Sequence, residues 1–402
     1  MWNLLCALFL LLSVLEANNT SDNMDSKALS SAIAQFSAKF CVELEKGKSV
    51  VSSPLSAEFV LGLLTLGTSD PAHSELLTAL GIPDDNSIRS AFTDVSSRLR
   101  SLKGVTLNVA NRVYVQEGPY DLEPSLKEDA IKVFDAAIEK MDFGTGAAAV
   151  NVINKWVESQ TNEKIKDLLS ADSVDSNTRL VLVNALYFKG TWKTQFDPAN
   201  TAEQPFHITA ESTVNIPMMY IESEFLYGES GDLQAQLLEM HYEGGETSML
   251  VVLPNEIDGL DGVLSKLASG FDLLSEVDKM HKTKVQVTIP KFKIETEIDL
   301  TELLPKLGIN AIFDKGNSGL TKILNVPEPL YVSKAVQKAF IEVNEEGAEA
   351  AAATAMGIAM FSAMVDFTPV PSFVADRPFL AAILVERTLH FVATYTGSEN
   401  QE

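Results

Sequence analysis

One stretch near the carboxyl terminus, residues 343–356, constrains the fold more than any other part of the sequence. It reads VNEEGAEAAAATAM, in which three glutamates and a glycine interrupt a run of small side chains. Alanine favours a helix, but a helix here would carry no large apolar stripe with which to dock on a core. An extended strand of small side chains, by contrast, fits between two strands of a packed sheet where larger groups would clash. The residues alone therefore leave two interpretations open, a weak helix with little to dock it or an extended segment that enters an existing sheet with Gly347 as the pivot.

The hydrophobic pattern of the remaining chain predicts an α+β fold, because helical periodicity dominates the first third and strand-like runs intermix with it later. No internal repeat, heptad array or long linker interrupts the sequence, which favours one continuous domain. Amphipathic helices are predicted over residues 26–45, 54–66, 87–102 and 150–169. Strands are predicted over residues 107–116, 180–188, 236–242, 248–253, 284–292, 336–343, 379–385 and 389–395.

The first 17 residues have the features of a secretory signal peptide, an apolar run that closes on the small residue Ala17. The run is shorter than the ~20 apolar residues that a membrane-spanning helix requires, and no later stretch is long and uncharged enough to span. The mature chain is therefore expected to be soluble and extracellular. Asn18 and Asn19 begin two overlapping Asn-x-Ser/Thr glycan acceptors. Asn19 is the better candidate, because Asn18 would be the new amino terminus.

Charge and cysteine content narrow the possible partners. The chain carries 31 Lys and Arg against 55 Asp and Glu, a net charge of -24. Nucleic acid and anionic membrane surfaces are excluded as partners, since both require clustered cations. Cys6 leaves with the signal, so Cys41 remains alone and no intramolecular disulfide forms. Because Cys41 shares an apolar helical stripe with Phe36 and Phe40, we expect a buried core thiol.

The sequence gives no local signature of catalysis. It contains no G-x-S-x-G elbow, phosphate-binding loop or C-x-x-C motif. The five histidines lack the i, i+4 or x3-5 spacing that would place two imidazoles on one metal ion. We therefore expect no enzyme activity, no metal and no cofactor. These histidines are His73, His207, His241, His281 and His390.

The segment described first resembles the hinge of inhibitory serpins. The hinge residues are Glu345, Glu346, Gly347, Ala348, Glu349, Ala350, Ala351, Ala352, Ala353 and Thr354. Other matching motifs are Ser53-Pro54-Leu55-Ser56, Ile153-Asn154-Lys155-Trp156, the run 183–192, the runs 330–334 and 340–344, and Asp376-Arg377-Pro378-Phe379-Leu380. The resemblance implies a single metastable domain over residues 18–402, with three β-sheets, about nine helices and an exposed reactive loop at about 345–372.

The resemblance also implies a mechanism and a target. Serpin inhibitors are cut by a serine protease and trap it covalently as the loop inserts into the central sheet, so the expected partner is that protease, bound by a monomer. Counting from Gly347 by the family spacing places the scissile bond at Phe361-Ser362. Neighbouring Met360 and Met364 are also apolar, and residues 347–374 contain no Lys or Arg. The target should therefore have a hydrophobic specificity pocket, as in chymotrypsin-like, elastase-like or cathepsin-G-like proteases.

A second set of residues follows from the same resemblance. Ser53, Ser56 and Asn184 match the polar cluster that lets the strands part, and Trp192 matches the place where insertion begins. Gln337 stands where family members usually have histidine, and an amide does not titrate near neutral pH. Opening of the sheet through a histidine at this position is therefore not expected.

A non-inhibitory serpin, acting as a carrier or storage protein, is the alternative. Such members tolerate bulky, charged or proline residues in the hinge, and this chain has none over residues 350–355. It departs from the usual inhibitors at Ala348, where threonine is common, but the side chain remains small. The hinge therefore favours inhibition.

Overall fold

The computed structural model describes residue 24 and residues 26–347 and 369–397. Nine α-helices and fourteen β-strands lie within these residues, as the α+β prediction requires. Helices α1 to α9 are Ser26–Val42, Pro54–Leu66, Ala72–Leu80, Asp85–Ser101, Pro124–Lys132, Ala147–Gln160, Leu260–Ala268, Leu273–Val277 and Leu300–Leu303. Strands β1 to β14 are Val50–Ser52, Val105–Gln116, Ala137–Met141, Leu180–Gly190, Ala202–His207, Thr213–Ser230, Ala235–His241, Thr247–Pro254, His281–Pro290, Phe292–Asp299, Val332–Val343, Ser372–Val374, Phe379–Val385 and Thr388–Tyr395.

The strands form a five-stranded sheet, in the order β10-β11-β4-β2-β3, and a nine-stranded sheet. The larger sheet runs β1-β14-β13-β8-β7-β6-β9-β12, with β5 paired to β6. Strand β6 pairs with β7 through residues 226–230, but with β9 through residues 218–227 and with β5 through residues 213–218. One long strand thus joins two groups of strands by hydrogen bonds. The described strands therefore form two hydrogen-bonded sheets where three were expected, because β6 pairs with strands on both sides of this junction.

Strand β4 lies in the middle of the five-stranded sheet and is apolar on both faces. Leu182 packs into the main core together with α2, whereas Val183 packs on the other face against α6. A strand covered on both sides reads as a continuous apolar run, which is why residues 180–188 were predicted without alternation. The five-stranded sheet is therefore covered on one face by α6 and the segment that follows it, and on the other by α2 and strands of the nine-stranded sheet.

Helix α2 is buried along its whole length, and the sequence determines where it begins. The Ser53 hydroxyl accepts a hydrogen bond from the backbone N–H of Ser56, and Pro54 occupies the first turn, where a missing N–H costs nothing. All thirteen helix residues are buried, including Glu58. Among the described residues, neither carboxylate oxygen of Glu58 has a hydrogen-bond partner. Burial raises the pKa of Glu58 well above its ordinary value, so the group is held in its neutral form.

The element predictions hold best for three of the predicted helices. Helices predicted over 26–45, 54–66 and 87–102 agree with α1, α2 and α4 to within three residues at each end. Each predicted strand overlaps an observed one. The remaining described helices and strands were not predicted: α3, α5, α7, α8, α9, β1, β3, β5, β6, β10 and β12.

The prediction of one helix over 150–169 is wrong beyond Gln160, where α6 ends. The chain then folds back along the helix, with positive φ angles at residues 162, 163 and 167. The side chain of Asn154 holds the returning chain: its Nδ2 donates to the carbonyl of Leu169, and its Oδ1 accepts from the Leu169 N–H, both at 2.9 Å. Hydrogen bonds from an asparagine side chain to the backbone of a later segment cannot be predicted from the spacing of apolar residues.

Cys41 is a free, buried thiol, as predicted. Burial raises its pKa to about 12, against a smaller lowering by a hydrogen bond from Ser52. Within the described ranges, no helix is both long and apolar enough to cross a membrane. The same residues bring together no group of three His, Cys, Asp or Glu side chains that could hold a metal ion.

Candidate functional site

The junction between β4 and β11 is the central feature of the five-stranded sheet. These neighbouring strands run parallel, with Leu182 opposite Ala335 and Phe188 opposite Ile341, although they come from distant parts of the chain. Their outer neighbours β2 and β10 are antiparallel to them. A chain that leaves β11 at Val343 and turns back would be antiparallel to both β4 and β11. Since antiparallel pairing is slightly more stable per residue, such a strand would replace one parallel pairing with two better ones.

A row of polar side chains crosses this junction. Asn111 of β2, Asn184 of β4 and Gln337 of β11 lie directly opposite one another on three adjacent strands. The Gln337 Nε2 donates to Asn184 Oδ1 at 2.6 Å, and the Asn184 Nδ2 donates to Asn111 Oδ1. Each of the three side chains is at most 5% exposed. A strand inserted between β4 and β11 must break the Gln337–Asn184 bond.

The start of α2 completes this polar network beneath the sheet. Gln337 is bound by the backbone of Ser53 twice, because its Oε1 accepts from the N–H at 2.9 Å and its Nε2 donates to the carbonyl at 2.8 Å. The Asn184 Nδ2 also donates to the hydroxyl of Ser56 at 2.5 Å. The structure thus brings together all four residues predicted for this cluster. Buried polar networks are favourable only when they are fully paired. This network therefore stabilises the closed sheet, in which β4 and β11 are neighbours.

His390 lies beside the same network and was not singled out from the sequence. Its carbonyl accepts the Ser53 hydroxyl at 2.5 Å, and the residue is 4% exposed. Burial lowers the pKa of the imidazole to about 3, so the ring is neutral at physiological pH. Neither His390 nor Asn111 belongs to a motif of consecutive residues. Only the pairing of distant strands places them here.

His390 and Glu58 should give opposite pH dependences of stability. Below pH 6.5 the unfolded chain protonates His390 but the folded protein does not, so stability falls by up to about 1.4 kcal/mol per pH unit. Glu58 acts in reverse: its stabilising contribution is complete below the unfolded pKa near 4.5 and is lost as pH rises towards the higher folded pKa. Between pH 6.5 and 5, acidification should therefore stabilise His390→Phe, and destabilise Glu58→Gln, relative to wild type.

The measurement is the free energy of the first urea transition of the three proteins at several pH values in that window. The sign of each variant's change in stability relative to wild type, rather than its size, shows whether His390 or Glu58 titrates as expected. Parallel curves for wild type and His390→Phe would show that His390 is protonated equally in both states.

Where the chain leaves β11, hydrogen bonds attach it to the segment that follows β4. Trp192 Nε1 donates to the carbonyl of Asn344, and the Trp192 N–H donates to the carbonyl of Glu346, both at 2.9 Å. The indole is 2% exposed and stacks on Tyr242 with 4.2 Å between ring centroids. Trp192 was predicted for this place, and here it holds the first residues of the hinge.

Glu345 is tied to the same end by its side chain. Its carboxylate accepts from Lys291 Nζ and from the Thr201 hydroxyl, each at 2.9 Å. Burial raises the pKa of Glu345, but the hydrogen bond from Lys291 and other contacts outweigh burial and hold the pKa below its ordinary value. The base of the hinge is therefore anchored by an ion pair, a contact that the sequence did not indicate.

Gly347 occupies the position of the predicted pivot. Its φ of +102° lies in the region that favours glycine. A Cβ at this position would lie 2.3 Å from the carbonyl oxygen of Gly190 and 2.5 Å from the backbone nitrogen of Trp192. Any larger residue would therefore force the chain away from the end of β4. The glycine is required by close backbone approach as well as by its conformation.

The remaining predicted site residues lie outside the described residues. They are the hinge residues Ala348, Glu349, Ala350, Ala351, Ala352, Ala353 and Thr354, the expected reactive bond Phe361-Ser362, and the glycan candidates Asn18 and Asn19.

Comparison with known proteins agrees with this geometry. The family model described as "Serpin (serine protease inhibitor)" matches residues 31–396. The chain belongs to the serpin family. It is 42% identical to antichymotrypsin-2 of Bombyx mori over 88% of this chain and 94% of that protein. It is 41% identical to antitrypsin of the same organism, over 91% and 93%. Among solved structures, Serpin48 of Tenebrio molitor superposes with a TM-score of 0.83 and 32% identity, over 94% of this chain and all of that one.

Membership of the serpin family and the names of these relatives support an inhibitor of serine proteases. They do not select the target, because a relative named for chymotrypsin and one named for trypsin are almost equally similar. The selectivity of this serpin must therefore be read from its own reactive loop.

Proposed function

We propose that this serpin inhibits chymotrypsin-like or related serine proteases with a hydrophobic specificity pocket, by covalent trapping after cleavage at Phe361-Ser362. The observation that carries the proposal is the parallel β4–β11 junction, followed directly by the glycine pivot and a run of small residues. The junction offers a place for an antiparallel strand. The sequence after Gly347 supplies side chains small enough to enter it.

The chemical step is acyl transfer. The hydroxyl oxygen of the protease serine attacks the carbonyl carbon of Phe361, and the bond to Ser362 breaks as the Ser362 amine leaves with a proton. The protease is then joined by an ester to Phe361, at the end of a freed segment. Whether the ester hydrolyses depends on how fast that segment inserts relative to deacylation.

Insertion supplies the energy for trapping. A strand of some fourteen residues at ~3.3 Å each would carry the tethered protease about 45 Å along the sheet. Its new ladder bonds contribute roughly 0.5–1.5 kcal/mol each, or on the order of 10 kcal/mol together. This is comparable with the stability of a whole domain. Distortion of the protease active site, driven by this free energy, would stop deacylation.

Target selection rests on the side chain before the scissile bond. Phe361 is aromatic, its neighbours Met360 and Met364 are apolar, and no Lys or Arg occurs between residues 347 and 374. A hydrophobic slot accepts such a side chain, whereas the pocket aspartate of trypsin-like enzymes requires a cation.

The proposal includes the setting of the protein. Residues 1–17 serve as a secretory signal, and residues 18–402 form a secreted, monomeric serpin domain that needs no cofactor and carries a glycan at Asn19. A carrier or storage role remains the alternative. It predicts cleavage of the loop without a covalent product.

The test is incubation with chymotrypsin, elastase, a cathepsin-G-like protease and trypsin, followed by denaturing electrophoresis. We expect a one-to-one adduct that survives denaturation with the hydrophobic-pocket enzymes, and a released carboxyl-terminal fragment that begins at Ser362. A start elsewhere within 359–366 would move the reactive bond. Cleavage without adduct by all four enzymes would contradict inhibition and favour the carrier alternative.

A further inference from the structure

A cavity of about 260 Å³ lies between the helical core and the five-stranded sheet. Helices α2 and α4 form one side of it, and strands β2 and β4 form the other. It extends from exposed residues at its rim to buried residues at its inner end. Between them the lining is mixed: polar residues such as Asn108 and Gln160 alternate with apolar side chains, which are Leu55, Phe59, Leu99, Leu107, Val109, Phe134, Leu186 and Phe391.

The inner wall carries a polar group that the protein leaves without a partner. His390 lines the cavity and is 4% exposed, and its ring nitrogens make no hydrogen bond with any described residue. A neutral imidazole both donates and accepts, so it suits a hydroxyl group.

The rim carries two opposite charges. Arg100 at the end of α4 and Asp135 after α5 both line the opening and are exposed. Within the described ranges, neither side chain forms an ion pair or a hydrogen bond. The other arginines of α4 are paired, Arg89 with Asp129 and Arg98 with Asp94. One cation and one anion at a single rim suit a ligand that carries both an ammonium and a carboxylate.

We propose that this cavity binds a hydroxylated aromatic amino acid, of which free tyrosine is the simplest. Its carboxylate pairs with Arg100 and its ammonium with Asp135, its ring lies on the apolar side chains of the lining, and its phenol reaches His390. The volume of about 260 Å³ is consistent with this ligand, because a cavity of ~150 Å³ already holds a benzene ring.

The site is built from elements that the proposed insertion would move relative to one another. Leu186 of β4 and Asn111 of β2 line it on one side, and Ser53 and Ser56 before and within α2 line it on the other. If the proposed insertion mechanism holds, the ligand binds the closed form better and should slow insertion. This consequence rests on the proposed function, whereas binding to the intact protein does not.

The experiment uses intact, uncleaved protein and 3-fluoro-L-tyrosine as the probe, followed by fluorine NMR line broadening and displacement by L-tyrosine. We expect a dissociation constant between roughly 10 µM and 1 mM. Phenylalanine, which lacks the hydroxyl, should bind roughly tenfold more weakly. Tyramine and 3-(4-hydroxyphenyl)propionate should each bind about fivefold more weakly, since each lacks one of the two charges.

Matched variants locate the site. Arg100→Gln should weaken binding about fivefold, while Arg89→Gln on the same helix should not change it. His390→Phe should bind tyrosine and phenylalanine equally. No displaceable broadening with folded wild-type protein, or equal effects of Arg100→Gln and Arg89→Gln, would overturn the proposal. Binding with unchanged adduct formation would leave the site in place and contradict only its coupling to insertion.

Discussion

Ala350→Arg is expected to turn the inhibitor into a substrate. Side chains alternate along a strand, so Ala348, Ala350, Ala352 and Thr354 would face the core once the hinge lies between β4 and β11. A guanidinium on that face would be buried without a partner, at a cost of several kcal/mol. A penalty of ~3 kcal/mol on the insertion barrier slows insertion more than a hundredfold, while attack on Phe361 and deacylation are unchanged. Adduct should disappear from denaturing gels, and cleaved serpin and active protease should accumulate.

Glu349→Arg is the matched control. It adds the same side chain one residue earlier, on the opposite face, where the sequence already has a charged group. It should trap protease as wild type does. A second measurement is thermal: wild type nicked in the loop should melt well above the intact protein, and nicked Ala350→Arg should not. If Ala350→Arg traps with unchanged stoichiometry, or nicking does not raise the melting temperature of wild type, the loop does not insert.

The parts of the fold that could be predicted are those recorded in local periodicity. Residues 54–66 combine a serine cap, a first-turn proline and an apolar run, and these fix α2 to the residue. The prediction at 150–169 fails because the Asn154 side chain binds the backbone of Leu169, a contact that the spacing of apolar residues does not record. Strand β6 shares its pairing among three neighbours and alternates weakly, so its residues gave no clear signal.

The site was predicted as a list of residues but not as an arrangement. Motif resemblance identified Ser53, Ser56, Asn184 and Gln337, which the structure brings into one network. The motifs do not give the pairing register of the strands. It is the register of β2 against β4 that makes Asn111 the third member of the polar row. Lys291 and Thr201 were missed for a similar reason. Each contributes one contact from a distant segment, and isolated cations and hydroxyls on a surface predict nothing by themselves.

Phe361→Arg is expected to exchange the target without affecting the trap. Chymotrypsin-like enzymes lose an aromatic side chain that fills their pocket, and trypsin-like enzymes gain an ion pair with their pocket aspartate. Adduct formation with chymotrypsin should fall more than a hundredfold, which corresponds to about 3 kcal/mol of lost transition-state binding. Trypsin should instead form the adduct that survives denaturation. Second-order rates of inhibition with the two enzymes measure the exchange.

Two further variants separate the register of the loop from the trapping step. Met364→Arg places the same cation three residues later, and it should not recruit trypsin if the scissile bond follows Phe361. If Met364→Arg switches the target and Phe361→Arg does not, the reactive bond lies elsewhere in the loop. The double variant Phe361→Arg with Ala350→Arg should be cut by trypsin at residue 361 yet form no adduct. Recognition depends on one side chain in the protease pocket, and trapping depends on the hinge between β4 and β11, so the two changes should act independently.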